Sequence, residues 1–166
     1  TMDLTLTGDS VSWIPDTRQV KILNVLGFIV LNTFSTWTAG NWVDVNRTFY
    51  DYNVQNLDSV ETTQTFDGTG WAYSGQILST YTPTNRIAER ISQYWDVSGW
   101  VNNSDFRFTY DAADSLTEAL SSSWVNGAWL DNSKDITIYY SYFPPSIYTA
   151  LQLYSVNDGW QTVDEQ

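Results

Sequence analysis

The chain has 166 residues, 42% hydrophobic and 16% aromatic, so it carries enough apolar material to fold and is not a disordered segment. Nineteen acidic residues against seven basic ones give a net charge of −12, which would repel a phosphate backbone or an anionic membrane surface and argues against nucleic-acid binding. Cysteine and histidine are both absent, which closes disulfides, thiol nucleophiles, zinc–thiolate sites and histidine-based acid–base or metal chemistry.

The opening Thr1-Met2 reads as the start of an excised fragment, with no charged, apolar and small-residue leader after it. No run of about 18 apolar residues follows, so no membrane insertion is expected. From there the chain is periodic. Tryptophans stand at Trp13, Trp42, Trp71, Trp100 and Trp129, at intervals of 29 residues, and Trp37, Phe66, Trp95 and Trp124 form a second column five residues ahead of the last four. A period of this size marks one supersecondary unit copied and stacked. The expectation is a single domain over 1–166, made of five units that start near these five tryptophans.

Unit one is apolar on both strand faces (Val20, Ile22, Leu23, Val25, Leu26, Phe28 to Leu31), as suits an end piece covered by something else. The links Thr-Ala-Gly-Asn at 38–41, Asp-Gly-Thr-Gly at 67–70, Asp-Val-Ser-Gly at 96–99 and Val-Asn-Gly-Ala at 125–128 supply Gly or Asn for the positive φ of a tight hairpin. Unit four is the most regular. Trp100, Phe106, Phe108 and Tyr110 alternate with mostly polar residues, then, after 112–115, Leu116, Leu120 and Trp124 alternate with Thr117, Ala119, Ser121 and Ser123. That is period two in two successive strands. In unit five, Ile136, Ile138, Tyr140 and Tyr142 change phase, which predicts a β-bulge near 131–135. Pro144-Pro145 lengthens the next link, Tyr154 and Trp160 make the closing aromatic pair, and the tail at 162–166 reads as frayed or cut.

The predicted fold is therefore all-β: an antiparallel up-and-down meander of about ten strands, two to a unit. A single sheet with one apolar face must close into a barrel, curl strongly, or cover that face with neighbouring repeats or a second copy.

The segment Tyr110-Asp111-Ala112-Ala113-Asp114-Ser115-Leu116-Thr117 resembles the core of the tyrosine-aspartate (YD) repeats of large secreted bacterial proteins, including the Rhs shell proteins. The whole unit is closer to a longer Trp-x4-Trp variant seen in secreted and cell-surface proteins of the Bacteroidetes. The resemblance covers about 42–142, with Tyr81-Thr82 replacing the pair in unit three and Tyr50-Asp51 standing two residues early in unit two. It implies an extracellular or cell-surface, sheet-forming, non-enzymatic role as scaffold, shell or adhesive element, with no catalytic residues to carry over.

The candidate ligand-binding residues are the hairpin aromatics Trp37, Trp42, Trp71, Trp95, Trp100, Trp124 and Trp129. As cross-strand pairs on one face they form a band in which every second ring recurs at roughly 10 Å, near the two-residue repeat of an extended β-linked polysaccharide. A carbohydrate-binding module is the alternative function, and a polysaccharide the candidate partner. Against it stands the simpler reading that the rings pack on one another and on a core shared with Phe106, Leu116 and Leu120, so that Trp100→Ala opens a cavity.

Alternation also puts Glu89 and Glu118 on the apolar face with no Arg or Lys nearby, a carboxylate pair that would suit an inverting glycosidase if enclosed, but that is expected to snorkel to water. Asp67, Asp96, Asn126, Asn157 and Asp158 are turn oxygens without a tight calcium-ligand run, and neither metal nor cofactor is expected. Arg18, Arg47 and Lys134 share one repeat position, which alternation places on the polar face, balancing nearby acids.

Overall fold

The computed structural model describes the backbone of residues 2–8, 13–140, 146–155 and 159–165, and side chains from 16 to 136. Twelve strands follow in chain order: β1 (Met2–Gly8), β2 (Trp13–Leu23), β3 (Ile29–Thr38), β4 (Asn41–Tyr52), β5 (Asp58–Phe66), β6 (Trp71–Tyr81), β7 (Ile87–Asp96), β8 (Gly99–Tyr110), β9 (Leu116–Val125), β10 (Ala128–Tyr140), β11 (Ser146–Ser155) and β12 (Gly159–Glu165). No helix occurs among the described residues. The sheet order repeats the sequence order, an up-and-down meander.

Two expectations change. The order is linear, with β1 and β12 at its two ends, so the sheet is not closed into a barrel. The tail is not frayed as far as Glu165, because β12 pairs with β11 from Ser155↔Gly159 to Ala150↔Glu165. The Tyr154/Trp160 pair is in register on the backbone, and those side chains lie outside the described residues.

Backbone contacts divide the chain into two compact units, one of residues 1–77 with 94–100, the other of 78–93 with 101–166. Neither has an apolar core among the described residues. The fully buried side chains are Ser35, Asp105 and Ser122, all polar, while Phe106 is 46% exposed and Leu130 40%. A lone sheet layer has nothing facing it that could exclude water from a large side chain, so only small or short polar groups flanked by neighbours on the same face are covered.

The expected bulge lies in β10, where Asp131↔Ser122 is followed by Ser133↔Ser121 and leaves Asn132 over. It is not peculiar to unit five. Ser35↔Asp44 and Phe34↔Asn46 leave out Val45 at the same repeat position. The bonds Gln93 Nε2 to Asn102 Oδ1 (2.8 Å) and Ser92 Oγ to Ser104 Oγ (2.7 Å) likewise skip Asn103. A second bulge follows three of the long turns, on the strand that leaves the turn, at Val30, Ser59 and Thr117. There the Ser59 and Thr117 hydroxyls donate to the Asp51 and Thr109 carbonyls, at 3.1 and 3.0 Å.

Candidate functional site

The turns hold the hairpins by two kinds of local chemistry. Ala39-Gly40 (φ 50° and 86°) and Asn126-Gly127 (50° and 83°) are two-residue loops with both residues left-handed, the geometry that matches strand twist. In the other two links an aspartate does the work. Asp67 Oδ1 accepts from Thr69 N, Thr69 Oγ1 and Gly70 N at 2.7–2.9 Å, and Asp96 Oδ1 from Ser98 N, Ser98 Oγ and Gly99 N. These bonds hold both carboxyls below the ordinary aspartate range. Of the turn oxygens considered from sequence as calcium donors, those of Asp67 and Asp96 are thus engaged by their own turns, Asn157 and Asp158 lie outside the described residues, and no group of three or more acids that could hold a metal ion occurs among the described residues.

The five-residue turns at the opposite edge explain the Tyr-Asp motif. Asn24, Asn53 and Asp111 each accept, at Oδ1, from the amides two and four residues on, and Thr82 Oγ1 accepts from Arg86 N. The fourth residue is left-handed in every case: Gly27, Asn56, Asn85 and Asp114. The tyrosine before the cap reaches back to the start of the adjacent strand, with Tyr52 Oη donating to Ile29 O at 2.8 Å and Tyr110 Oη to Ile87 O at 2.9 Å. In unit two the equivalent pair is therefore Tyr52-Asn53, not Tyr50-Asp51. The motif needs a short side-chain oxygen after the tyrosine, and Asn or Thr supplies it as well as Asp.

The hairpin aromatics do pair across strands. In the first unit, ring centroids lie 5.2 Å apart in Trp37/Trp42, 5.2 Å in Phe66/Trp71 and 5.1 Å in Trp95/Trp100, tilted or edge to face. In the second, Trp124/Trp129 is at 5.0 Å. All are half-buried except Trp95, at 38% exposure. The band is slanted. Asn46 faces Thr65, so Phe66 stands three residues, or ~10 Å, along β4 from Trp42. An arginine fills two of the steps, the Arg18 guanidinium 4.9 Å from the Trp42 ring centroid and that of Arg47 4.3 Å from Trp71.

Those contacts reverse the expected facing. The bulge at Val45 and its equivalents shift alternation by one, so Arg18 and Arg47 share the aromatic face and Phe106 and Phe108 leave it. On that face Arg18 Nη2 donates to Ser35 Oγ (3.1 Å), which donates to Asp44 Oδ1 (2.8 Å). Three repeats later Arg107 Nη2 donates to Ser122 Oγ (3.0 Å), which donates to Asp131 Oδ1 (2.7 Å). The serines and acids hold equivalent positions, whereas the arginines do not, because Asp105 stands where Arg18 stands earlier. Asp105 is 2% exposed, its Oδ2 lies 2.9 Å from Arg107 Nε and its Oδ1 has no hydrogen-bond partner. Burial raises its pKa, against the opposing pull of Arg107 and with help from Glu89 and Asp131.

Glu118 is not without a cation, since Lys134 Nζ sits 2.7 Å from its Oε2, half-buried on this face. The expectation that Arg18 and Lys134 balance acids holds, through Asp44 at 3.7 Å and Glu118, but on the aromatic face. Arg47 instead donates from Nε to Gln64 Oε1 at 2.7 Å.

Sequence reading missed Tyr73, which stands two residues after Trp71 and so on the same face. It is 46% exposed and touches Trp95 and Trp100, at 5.2 and 5.6 Å between centroids. Between Phe49 and Tyr73 opens a groove of about 300 Å³, lined also by Asp51, Thr62 and Gln64. In the second unit a hollow of about 450 Å³ lies against the turns at 82–86 and 111–115, where Asp114 binds Thr84 and Arg86.

Fold and surface together define an antiparallel, single-sheet repeat protein. No family model matches the chain, and no curated protein does. Among solved structures, a protein of unknown function from Bacteroides fragilis is similar over 74% of this chain and 92% of its own, with a TM-score of 0.61 at 13% identity. Two DUF3836 family proteins are more distant. The one from Bacteroides vulgatus has a TM-score of 0.43 and 21% identity, over 51% of this chain and 89% of its own. The one from Parabacteroides distasonis has a TM-score of 0.41 and 13% identity, over 54% and 84%. The first likeness shows a shared fold.

Proposed function

We propose that the chain is a non-catalytic β-repeat module of a secreted or cell-surface bacterial protein, serving as scaffold, shell or adhesive element. The observation that carries this reading is the recurrence of the holding chemistry itself. The Tyr52–Ile29 and Tyr110–Ile87 bonds, the capped turns and the Ser35–Asp44 and Ser122–Asp131 pairs are copied along the chain. Side chains spent on joining each strand to the next build surface length, and copying leaves no single constellation set apart for chemistry. The extracellular setting rests on the YD-type resemblance.

Two measurements test it. Removing one complete repeat, residues 53–81, should leave a chain that still melts cooperatively with a β-type circular dichroism spectrum; loss of folded structure would defeat the modular scaffold. Antibody raised against the protein should label intact producer cells or the culture medium, and labelling confined to permeabilised cells would defeat the surface placement.

A further inference from the structure

We propose that the groove between Phe49 and Tyr73 is a binding site for a neutral saccharide, a function that goes beyond the scaffold and does not depend on it. The argument begins with what holds the walls. Arg47 stacks on Phe49 at 5.1 Å and also bonds Gln64 Oε1, Gln76 Nε2 bonds Thr62 Oγ1 at 3.0 Å, and Trp95 and Trp100 buttress Tyr73. Four of the five lining side chains are thus fixed by residues behind or beside the groove, so little rotamer freedom is left to lose when a ligand arrives.

What these bonds leave over points into the same space. Gln64 has engaged its oxygen and keeps its NH2 as donor. Thr62 has accepted one bond and keeps its proton. The Tyr73 hydroxyl and the Asp51 carboxylate have no hydrogen-bond or ion-pair partner among the described residues. Two aromatic walls with interspersed donors and a carboxylate acceptor suit a pyranose, whose C–H faces lie on rings and whose hydroxyls both give and take hydrogen bonds. The volume, about 300 Å³, suits one or two sugar residues. Asp51 and the net charge of −12 select against uronic acids. The rings of Trp42, Trp71 and Phe49 each carry a guanidinium on one face, whereas Tyr73 carries none, so Tyr73 is the open ring of the groove.

The full chain should be titrated calorimetrically with cellohexaose, xylohexaose, mannohexaose and chitohexaose, with oligogalacturonate as the anionic probe. Saturable binding of at least one neutral probe is expected at micromolar to millimolar dissociation constants. Tyr73→Ala and Asp51→Asn should each weaken it about tenfold or more, and Val97→Ser, at an exposed turn, should leave it unchanged. Asp51 is exposed and unpaired, so Asp51→Asn should melt like the parent and keeps the test valid if Tyr73→Ala proves unstable. No binding of any neutral probe at millimolar concentration, or unaltered affinity in Asp51→Asn, would overturn the site; equal affinity for oligogalacturonate would overturn the assignment to neutral sugars.

Discussion

Arg107 Nε lies 2.9 Å from Asp105 Oδ2, and the two are consecutive residues on one strand face. Three repeats earlier the place of Asp105 belongs to Arg18, so Arg107 supplies from the next position the guanidinium that the Ser122–Asp131 pair requires. Swapping the charge left a carboxylate enclosed beside Glu89 and Asp131, and burial first, then these acids, raise its pKa.

The sign of the resulting pH dependence follows. A carboxyl whose folded pKa is raised binds its proton in the native state before it does so unfolded, so its contribution to stability is complete below the ordinary aspartate value and is lost as pH rises through the raised one. Asp105→Asn should therefore melt a few degrees higher than the parent at pH 7, with the gain shrinking toward zero near pH 3. A gain of equal size at both pH values would reject this account. Asp67, Asp96 and Asp114 act in the opposite sense: their lowered pKa values give stability above the ordinary range that disappears on acidification.

Trp42→Ala should cost about 2–3 kcal/mol in urea denaturation, from partial burial, the edge contact with Trp37 and the guanidinium of Arg18. No cavity is expected, because no second layer encloses the ring among the described residues, so small apolar molecules such as benzene should not rescue the variant. Rescue by benzene would show an enclosed core.

Tyr52→Phe and Tyr110→Phe each remove one hydroxyl bond to a backbone carbonyl on the adjacent strand. Each should destabilise by about 1 kcal/mol with ring packing kept. Hydrogen exchange should quicken locally at the turn each tyrosine precedes; a uniform change across the chain would argue against a local clasp.

Asn56 sits at φ 62°, the left-handed position of its turn. Asn56→Gly should be nearly neutral, and Asn56→Val should cost about 1–2 kcal/mol, since a β-branched side chain clashes there. Equal stability of the two variants would mean that the turn can rearrange.

Much of the fold was legible because its determinants are local or periodic. The spacing of Trp42, Trp71, Trp100 and Trp129 announced the repeat, Gly and Asn in the links announced the hairpins, and the phase change after Asp131 announced a bulge. The facing of Arg18, Arg47 and Phe106 was not legible by alternation, since one extra residue in a strand inverts every assignment beyond it. The apolar core was expected from composition, yet composition says how much apolar material exists and not whether a second layer covers it. Tyr73 and Asp51 escaped notice because the groove they line depends on which residues of β4, β5 and β6 come side by side, a matter of register that spacing along one strand does not contain.

The number 29 itself carries the last consequence. Paired strand residues and even-length hairpin loops would bring a side chain back to the same face only after an even count. An odd period demands an odd number of unmatched residues in every copy. The structure accounts for the oddness with a five-residue turn at 53–57 and the single extras Val45 and Ser59. Insertion or loss of one residue inside a paired strand would therefore turn the side chains beyond it to the other side of the sheet unless a turn or a further bulge absorbed the change.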